Sequence, residues 1–226
     1  MIYTWENRSE AFEELVKNYP GLAISDEQED LVQIEGTIFV NRRCEDYRLS
    51  KEYGIRLIIF KDENNLPEAF DITNQVDSNY RHRYPDGGLC LDTDSRIRIC
   101  YENGLDLCLW MHDFVETYFF SYEYYKRNGK FPFGERSHGI DGTIEMYGEL
   151  FHVKKKEVIV DCMKYVSTRG YHGHDECPCG SKKYIRKCHK RYLLPFYNNK
   201  KRLSIVKKDY NQIQKERFRE RYAKGY

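Results

Sequence analysis

Phe12, Leu15 and Val16 recur at helical spacing between Ser9 and Asn18, and Tyr19, Pro20 and Gly21 follow as a stop. The chain is therefore predicted to open with a short helix capped by Ser9. From Asp30 the period falls to two: Leu31, Gln33 and Glu35 alternate with Val32 and Ile34 and, past Gly36, with Ile38 and Val40, which predicts a strand. A second strand ends in Ile55 to Phe60 and a third lies around Ala69 to Val76, with Asp62, Glu63, Asn64, Asn65 and Pro67 as the turn between them. Three sequential strands with short turns predict an antiparallel meander.

An irregular Gly- and Pro-bearing segment, Tyr80 to Arg98, precedes the aromatic run Leu105 to Tyr125. Leu105, Leu109, Trp110, Phe114, Tyr118, Phe119 and Phe120 surround nearly the whole helical circumference, as in a helix buried on more than one face. Asn128 and Gly129 end it. After a Pro132 to Gly142 loop, Thr143 to Val166 reads as helix with a weak point near Gly148. The expected class is α+β, an antiparallel β-meander with flanking helices on one side, followed by a small cysteine-bearing module and a basic helical tail.

A length of 226 residues with 40% hydrophobic content suffices for one ordinary domain and an appendage. Mean hydropathy is −0.80, and no stretch approaches the roughly 18 to 20 apolar residues of a bilayer span. Met1 to Asn18 lacks the basic start, apolar stretch and cleavage site of a secretory signal. These features predict a soluble, cytoplasmic protein whose eight cysteines stay reduced and serve as ligands, nucleophiles or packing residues. The formal net charge of +1 hides an asymmetry: Lys182 to Tyr226 holds 16 Lys+Arg against 3 Asp+Glu, and the remainder 21 against 33.

Cys177, Cys179, Cys188 and His189 place four soft or borderline ligands within 13 residues, with Gly180 and Ser181 as the turn between two close pairs. Zn²⁺ takes four such ligands in a tetrahedron. The run Cys-Pro-Cys-Gly-Ser, the Lys183-Tyr184 pair and Cys-His resemble the SEC-C motif found at the carboxyl end of the SecA translocation motor. The resemblance implies those four residues as ligands of a structural zinc in a docking module. The motif often has a second glycine where this chain has Lys182, and His172 and His174 lie close enough in sequence to substitute as ligands. Lys182, Lys183, Arg186, Lys187, Lys190 and Arg191, interleaved with Tyr184, Tyr192, Phe196 and Tyr197, suit partner docking or, as the weaker reading, nucleic acid. Beyond Lys200, Leu203, Val206, Ile213 and Phe218 predict a weakly amphipathic basic helix.

Outside that cluster, Cys100, Cys108 and Cys162 sit in apolar or helical contexts and read as packing residues, and Cys44 as inert. Cys90 differs. In His82-Arg-Tyr-Pro85-Asp86-Gly87-Gly88-Leu89-Cys90-Leu91-Asp92, Leu89 and Leu91 can turn inward and leave the thiol outward, with Arg81, His82 and Arg83 as a positive field. Local chemistry leaves both a nucleophile and a small loop residue open.

The order of short helix, meander, His-bearing loop, Pro-Asp-Gly-Gly-Leu-Cys-Leu-Asp and large aromatic helix resembles the ubiquitin-conjugating enzyme fold. The His-x-Tyr-Pro-Asp-Gly-x-Leu-Cys-Leu form, with Phe133-Gly-Glu-Arg-Ser-His-Gly139 after the helix, looks like its prokaryotic branch, found in CBASS-type antiphage operons. The implied organisation is a conjugating domain over residues 1–150, a helical linker over 151–170, the zinc module over 171–192 and the basic tail over 193–226. The implied activity is acyl transfer: Cys90 takes a protein C-terminus, from a ubiquitin-like protein or a cGAS-like nucleotidyltransferase, as a thioester and passes it to a target lysine. The asparagine of the eukaryotic His-Pro-Asn tripeptide is missing, so oxyanion support falls to backbone N–H groups around Leu91 and Asp92. Asp92, Asp94, His138 and His82 are candidates to orient or deprotonate the lysine, with loop capping or turn roles as the alternatives. A non-catalytic adaptor that uses the fold and the zinc module for protein binding, or its basic tail for nucleic acid, is the second reading.

Overall fold

A computed structural model describes residues 1–62 and 64–223, with the backbone alone described for 220–223; the expected turn residue Glu63 and the last three tail residues lie outside it. The chain forms two compact units, one of residues 1–92 and 103–135, the other of residues 93–102 and 136–226. The division departs from the expected one, because a short helical segment after residue 92 and everything beyond residue 135 belong with the cysteine module.

The first unit begins with α1 (Arg8–Asn18), preceded by Asn7 rather than Ser9 at the N-cap. Four antiparallel strands follow in the order β1-β2-β3-β4: β1 (Leu22–Glu27), β2 (Leu31–Cys44), β3 (Tyr47–Phe60) and β4 (Glu68–Asp71). The class is the α+β expected, with one more strand than the sequence pattern indicated. In β1 only Leu22 is buried, so the strand carries no alternation to read. Strands β2 and β3 form one long hairpin in register from Leu31↔Phe60 to Cys44↔Tyr47. The third expected strand stops at Asp71, whose buried carboxylate accepts hydrogen bonds from the Thr73 N–H, the Thr73 hydroxyl and the Val76 N–H and so folds residues 72–76 into turns.

Val32, Ile34, Ile38, Val40, Tyr53 and Leu57 bury the inner face of the sheet. The aromatic run covers it as α3 (Leu107–Trp110), a π-helical stretch Met111–Glu116, and α4 (Thr117–Asn128). Tyr53 stacks on Phe119 with ring centroids 4.1 Å apart. The π stretch coincides with a tertiary contact, since Arg42 from β2 and the Thr117 hydroxyl both donate to the His112 carbonyl. Arg42 also pairs with Glu116 at 3.1 Å, and both side chains are largely buried.

In the second unit, α2 (Asp94–Cys100), α5 (Gly139–Phe151), α6 (Lys156–Thr168), α7 (Lys190–Asn198) and α8 (Lys200–Ala223) surround one apolar core. Ile159, Met163 and Val166 of α6, expected as linker, share that core with Cys177 and Ile185 of the cysteine module and Val206 and Ile213 of α8. The linker and tail readings therefore give way to a single packed body. The helix predicted over Thr143 to Val166 breaks at His152, a left-handed residue with φ 58°, and not at Gly148. Gly148 is required by packing: a Cβ there would lie 2.7 Å from Ile159 Cδ1 and 2.8 Å from the Val153 carbonyl oxygen.

Asp209 anchors α8 from within. It is 8% exposed, and the Tyr147 hydroxyl donates to its Oδ2 at 2.7 Å. Burial raises its pKa above the ordinary 3.8, against opposing hydrogen bonds from Ser95 and Tyr147. A carboxyl raised in the folded state favours folding when protonated, and that contribution is lost as pH rises through the folded value. Asp209→Asn is accordingly expected to stabilise the chain by about 1 kcal/mol at pH 7. The gain should vanish as pH falls toward 4 in paired thermal melts; a gain that persists there would contradict the buried-charge account.

Candidate functional site

In the first unit, the loop bearing Cys90 is built onto the edge of the sheet. The Asp71 N–H donates to the Gly87 carbonyl at 3.1 Å and the Leu89 N–H to the Ala69 carbonyl at 2.8 Å, so residues 87–89 run beside β4. Tyr84 and Gly88, and Gly87 and Tyr84, close the preceding turn through backbone bonds of 2.8 and 3.0 Å. Gly87 has φ +90°, a conformation that side-chain-bearing residues rarely adopt. Leu89 is buried as expected, while Cys90, Leu91 and Asp92 are half-buried. Cys90 is thus only partly covered, on a backbone fixed at both sides.

The His82 carbonyl accepts two hydrogen bonds, from the Cys90 N–H at 2.8 Å and from the Tyr118 hydroxyl at 3.0 Å. Tyr118 is buried in the aromatic helix, so α4 holds the two loop residues in register; the sequence marked it only as bulk. A ring nitrogen of His82 and the Cys90 Sγ lie within 4.8 Å of each other. His82 Nε2 is 3.2 Å from Glu135 Oε1, which also receives Arg81 Nη1 at 2.9 Å. The Phe131 ring packs edge-on against the imidazole with centroids 5.5 Å apart. Glu135 was not singled out from the sequence, since nothing in residues 129–135 marks a lone glutamate as facing a histidine 53 positions earlier.

The Glu135 carboxylate thus holds the Nε2 edge of the His82 ring. Of the positive field expected around Cys90, Arg81 is paired with Glu135 and Arg83 donates to Asn74 at 2.8 Å. The Leu91 N–H has no hydrogen-bond partner among the described residues. Asp94 is exposed in the first turn of α2, where Thr93 is the N-cap, so it fits the capping alternative. His138 is the exposed N-cap residue of α5 in the second unit.

The other cysteines outside the second unit's cluster differ from Cys90. Cys44 ends β2, and Cys108 has its thiol raised by burial and then by the nearby Glu14 and Asp106 carboxylates. Cys162 is fully buried, in keeping with a packing role, whereas Cys100 is exposed, contrary to that expectation. Cys100 closes the short helix α2, whose buried face is set by Ile97 and Ile99 and turns the next residue outward.

In the second unit, ligand atoms of Cys177, Cys179, Cys188 and His189 all lie within 4.8 Å of one another. Tetrahedral bonds of about 2.3 Å to sulfur and 2.0–2.1 Å to nitrogen would separate the donors by roughly 3.8 Å for S···S and 3.5 Å for S···N. The observed Cys179–Cys188 separation is 3.6 Å, and the Cys177 and Cys188 sulfurs stand 3.3 and 3.1 Å from His189 Nδ1. Four soft or borderline donors at that spacing fit one metal ion. His172 and His174 are exposed and outside the cluster, and Arg186 donates to His174 Nε2 at 3.1 Å. The knuckle is held by the Cys177 N–H donating to the Lys183 carbonyl at 2.8 Å and the Gly180 N–H to the Cys177 carbonyl at 3.1 Å.

Lys182 has φ 57°, in the left-handed region. A side-chain-bearing residue there costs about 1–2 kcal/mol, partly offset by the backbone freedom a glycine would lose. Lys182→Gly is expected to stabilise the second unit by about 0.5–1 kcal/mol in denaturant melts; a loss of stability would contradict the strained backbone.

No helix among the described residues is long and apolar enough to cross a membrane. No protein-family model, curated protein or solved structure matches the chain.

Proposed function

We propose that the chain is a cysteine acyltransferase of the ubiquitin-conjugating type, with Cys90 as the nucleophile and a structural Zn²⁺ on Cys177, Cys179, Cys188 and His189. The observation that carries this reading is a half-buried cysteine on a backbone-locked loop, with His82 beside its sulfur and Glu135 behind the imidazole. The order of helix, four-strand meander, cysteine loop and aromatic helix in the first unit supports it, because this is the order the resemblance implies.

The reaction follows from those groups. His82 takes the Cys90 proton, and the thiolate attacks the carbonyl of an activated C-terminal acyl group, a thioester or acyl adenylate carried by a separate protein. The carbonyl π electrons move to oxygen, where the Leu91 N–H can donate. Collapse expels the donor's thiolate or AMP, His82 gives its proton to that leaving group or to solvent and is neutral again, and a thioester is left on Cys90. A target lysine then attacks, gives up a proton to His82 or Asp92, forms the amide and releases the Cys90 thiolate. By the resemblance, the donor is a ubiquitin-like protein or a cGAS-like nucleotidyltransferase acting in antiphage defence. Cys177, Cys179, Cys188 and His189 would hold the zinc with four protein ligands, so it would serve structure and supply no step in this chemistry.

A thiol-reactive probe separates this reading from an adaptor. Cys90 is expected to alkylate at least tenfold faster than Cys44, Cys100 or Cys108 near neutral pH in peptide-resolved mass spectrometry. Glu135→Gln should shift the pH profile of the Cys90 rate while leaving Cys100 unchanged. Uniform rates across all four thiols would favour the adaptor.

A further inference from the structure

The charge asymmetry along the sequence follows the division into units: the first holds 13 Lys+Arg against 24 Asp+Glu, and the second 24 against 12. Within the second unit the surplus divides between residues 182–191, six Lys+Arg with no acid, and α8, nine Lys+Arg against three acids. Its Ile205, Val206, Ile213 and Asp209 are buried, so the apolar stripe and the acid at position 209 face the core. The opposite arc carries Lys200, Lys201, Lys207, Lys208, Lys215 and Arg219, all exposed, with Asn211 and Gln212 among them and no carboxylate. Among the described residues none of these six cations forms an ion pair, although Arg202, on another face, pairs with Glu102. From Lys200 to Arg219 the line of charge extends about 28 Å at 1.5 Å per residue.

The same unit offers a ring for stacking. Tyr184, 48% exposed, stands in the cysteine module between Lys183 and Arg186, with the Arg186 guanidinium 5.7 Å from the ring centroid. A line of exposed cations without ion pairs, together with an exposed aromatic ring flanked by basic residues, is the chemistry of single-stranded nucleic-acid binding, in which cations track the phosphates and bases stack. A membrane surface fits less well, since insertion needs the apolar face of the helix and that face is committed to the core. We propose that the outer arc of α8 and Tyr184 bind single-stranded nucleic acid, independently of whether Cys90 is catalytic.

The test is fluorescence anisotropy of the full-length protein with a labelled 20-nucleotide poly(dT) strand and an RNA of equal length. Binding is expected at 50 mM NaCl, weakening roughly 50-fold by 200 mM for about four neutralised phosphates. The exposed triple substitution Lys207→Glu, Lys208→Glu, Lys215→Glu, with an unchanged melting curve, should weaken binding at least tenfold and flatten the salt slope. Tyr184→Ala should cost about tenfold, from the lower range of base–aromatic stacking. No binding at 50 mM, an undiminished affinity of the triple variant, or equal binding to polyglutamate or phosphatidylserine vesicles would overturn the proposal.

Discussion

If the cluster holds the proposed zinc, a chelator at pH 7 is expected to lower the melting temperature of the second unit by about 10 °C or more, and Cys177→Ser to do the same without chelator. The size follows from where the cluster sits. Cys177 is 4% exposed and belongs, with Ile185, to the core that holds α5, α6, α7 and α8. Structural zinc sites contribute several kcal/mol or more of folding free energy, and about 2–3 kcal/mol corresponds to such a shift in a domain near 100 residues. Thiolate ligands must shed their protons to hold the ion, so it is expected to be released on acidification. Elemental analysis should find one zinc per chain. A chain that purifies without metal and melts identically in chelator would contradict the assignment.

Replacing Cys90 by alanine is expected to abolish conjugate formation, a loss of roughly 10³-fold or more, because no other group takes the nucleophile's place. Cys90→Lys separates carriage from transfer. The lysine amine, on the same fixed loop, should accept the acyl group as an amide that survives thiols, and tandem mass spectrometry should find the donor's terminal residue on position 90. Tyr118→Phe, which removes one of the two donors to the His82 carbonyl, should slow both variants' parent reaction without changing the site of attachment. Persistence of full conjugating activity in Cys90→Ala would remove the nucleophile from the mechanism.

The legible parts of the fold were those whose burial imposes a period. Val32, Ile34, Ile38 and Val40 announced β2 because one face is buried along that stretch, and the aromatic run announced a helix buried on several sides. Strand β1 was silent because five of its six residues are exposed. The π stretch was silent too, since the contact that coincides with it, Arg42 reaching the His112 carbonyl, joins residues 70 positions apart. The four cluster residues could be read from spacing alone, as ligands for one ion must be close in sequence when a short turn joins them. Cys90 could be singled out, but Glu135 and Tyr118 could not, because their contacts with His82 are made by tertiary folding. In the basic helix the apolar positions Val206 and Ile213 are buried as their spacing indicates, whereas Phe218 is exposed and Asp209 buried, because a charge run gives no sign of which acid turns inward.

The most direct measurement of the central claim is the intact mass of the protein after incubation with its activated donor, taken at low pH without reductant. A covalent adduct equal to the donor acyl mass, located at Cys90 and removed by dithiothreitol or hydroxylamine, is the predicted result. An adduct that resists both reagents, or one attached at any other cysteine, would contradict it.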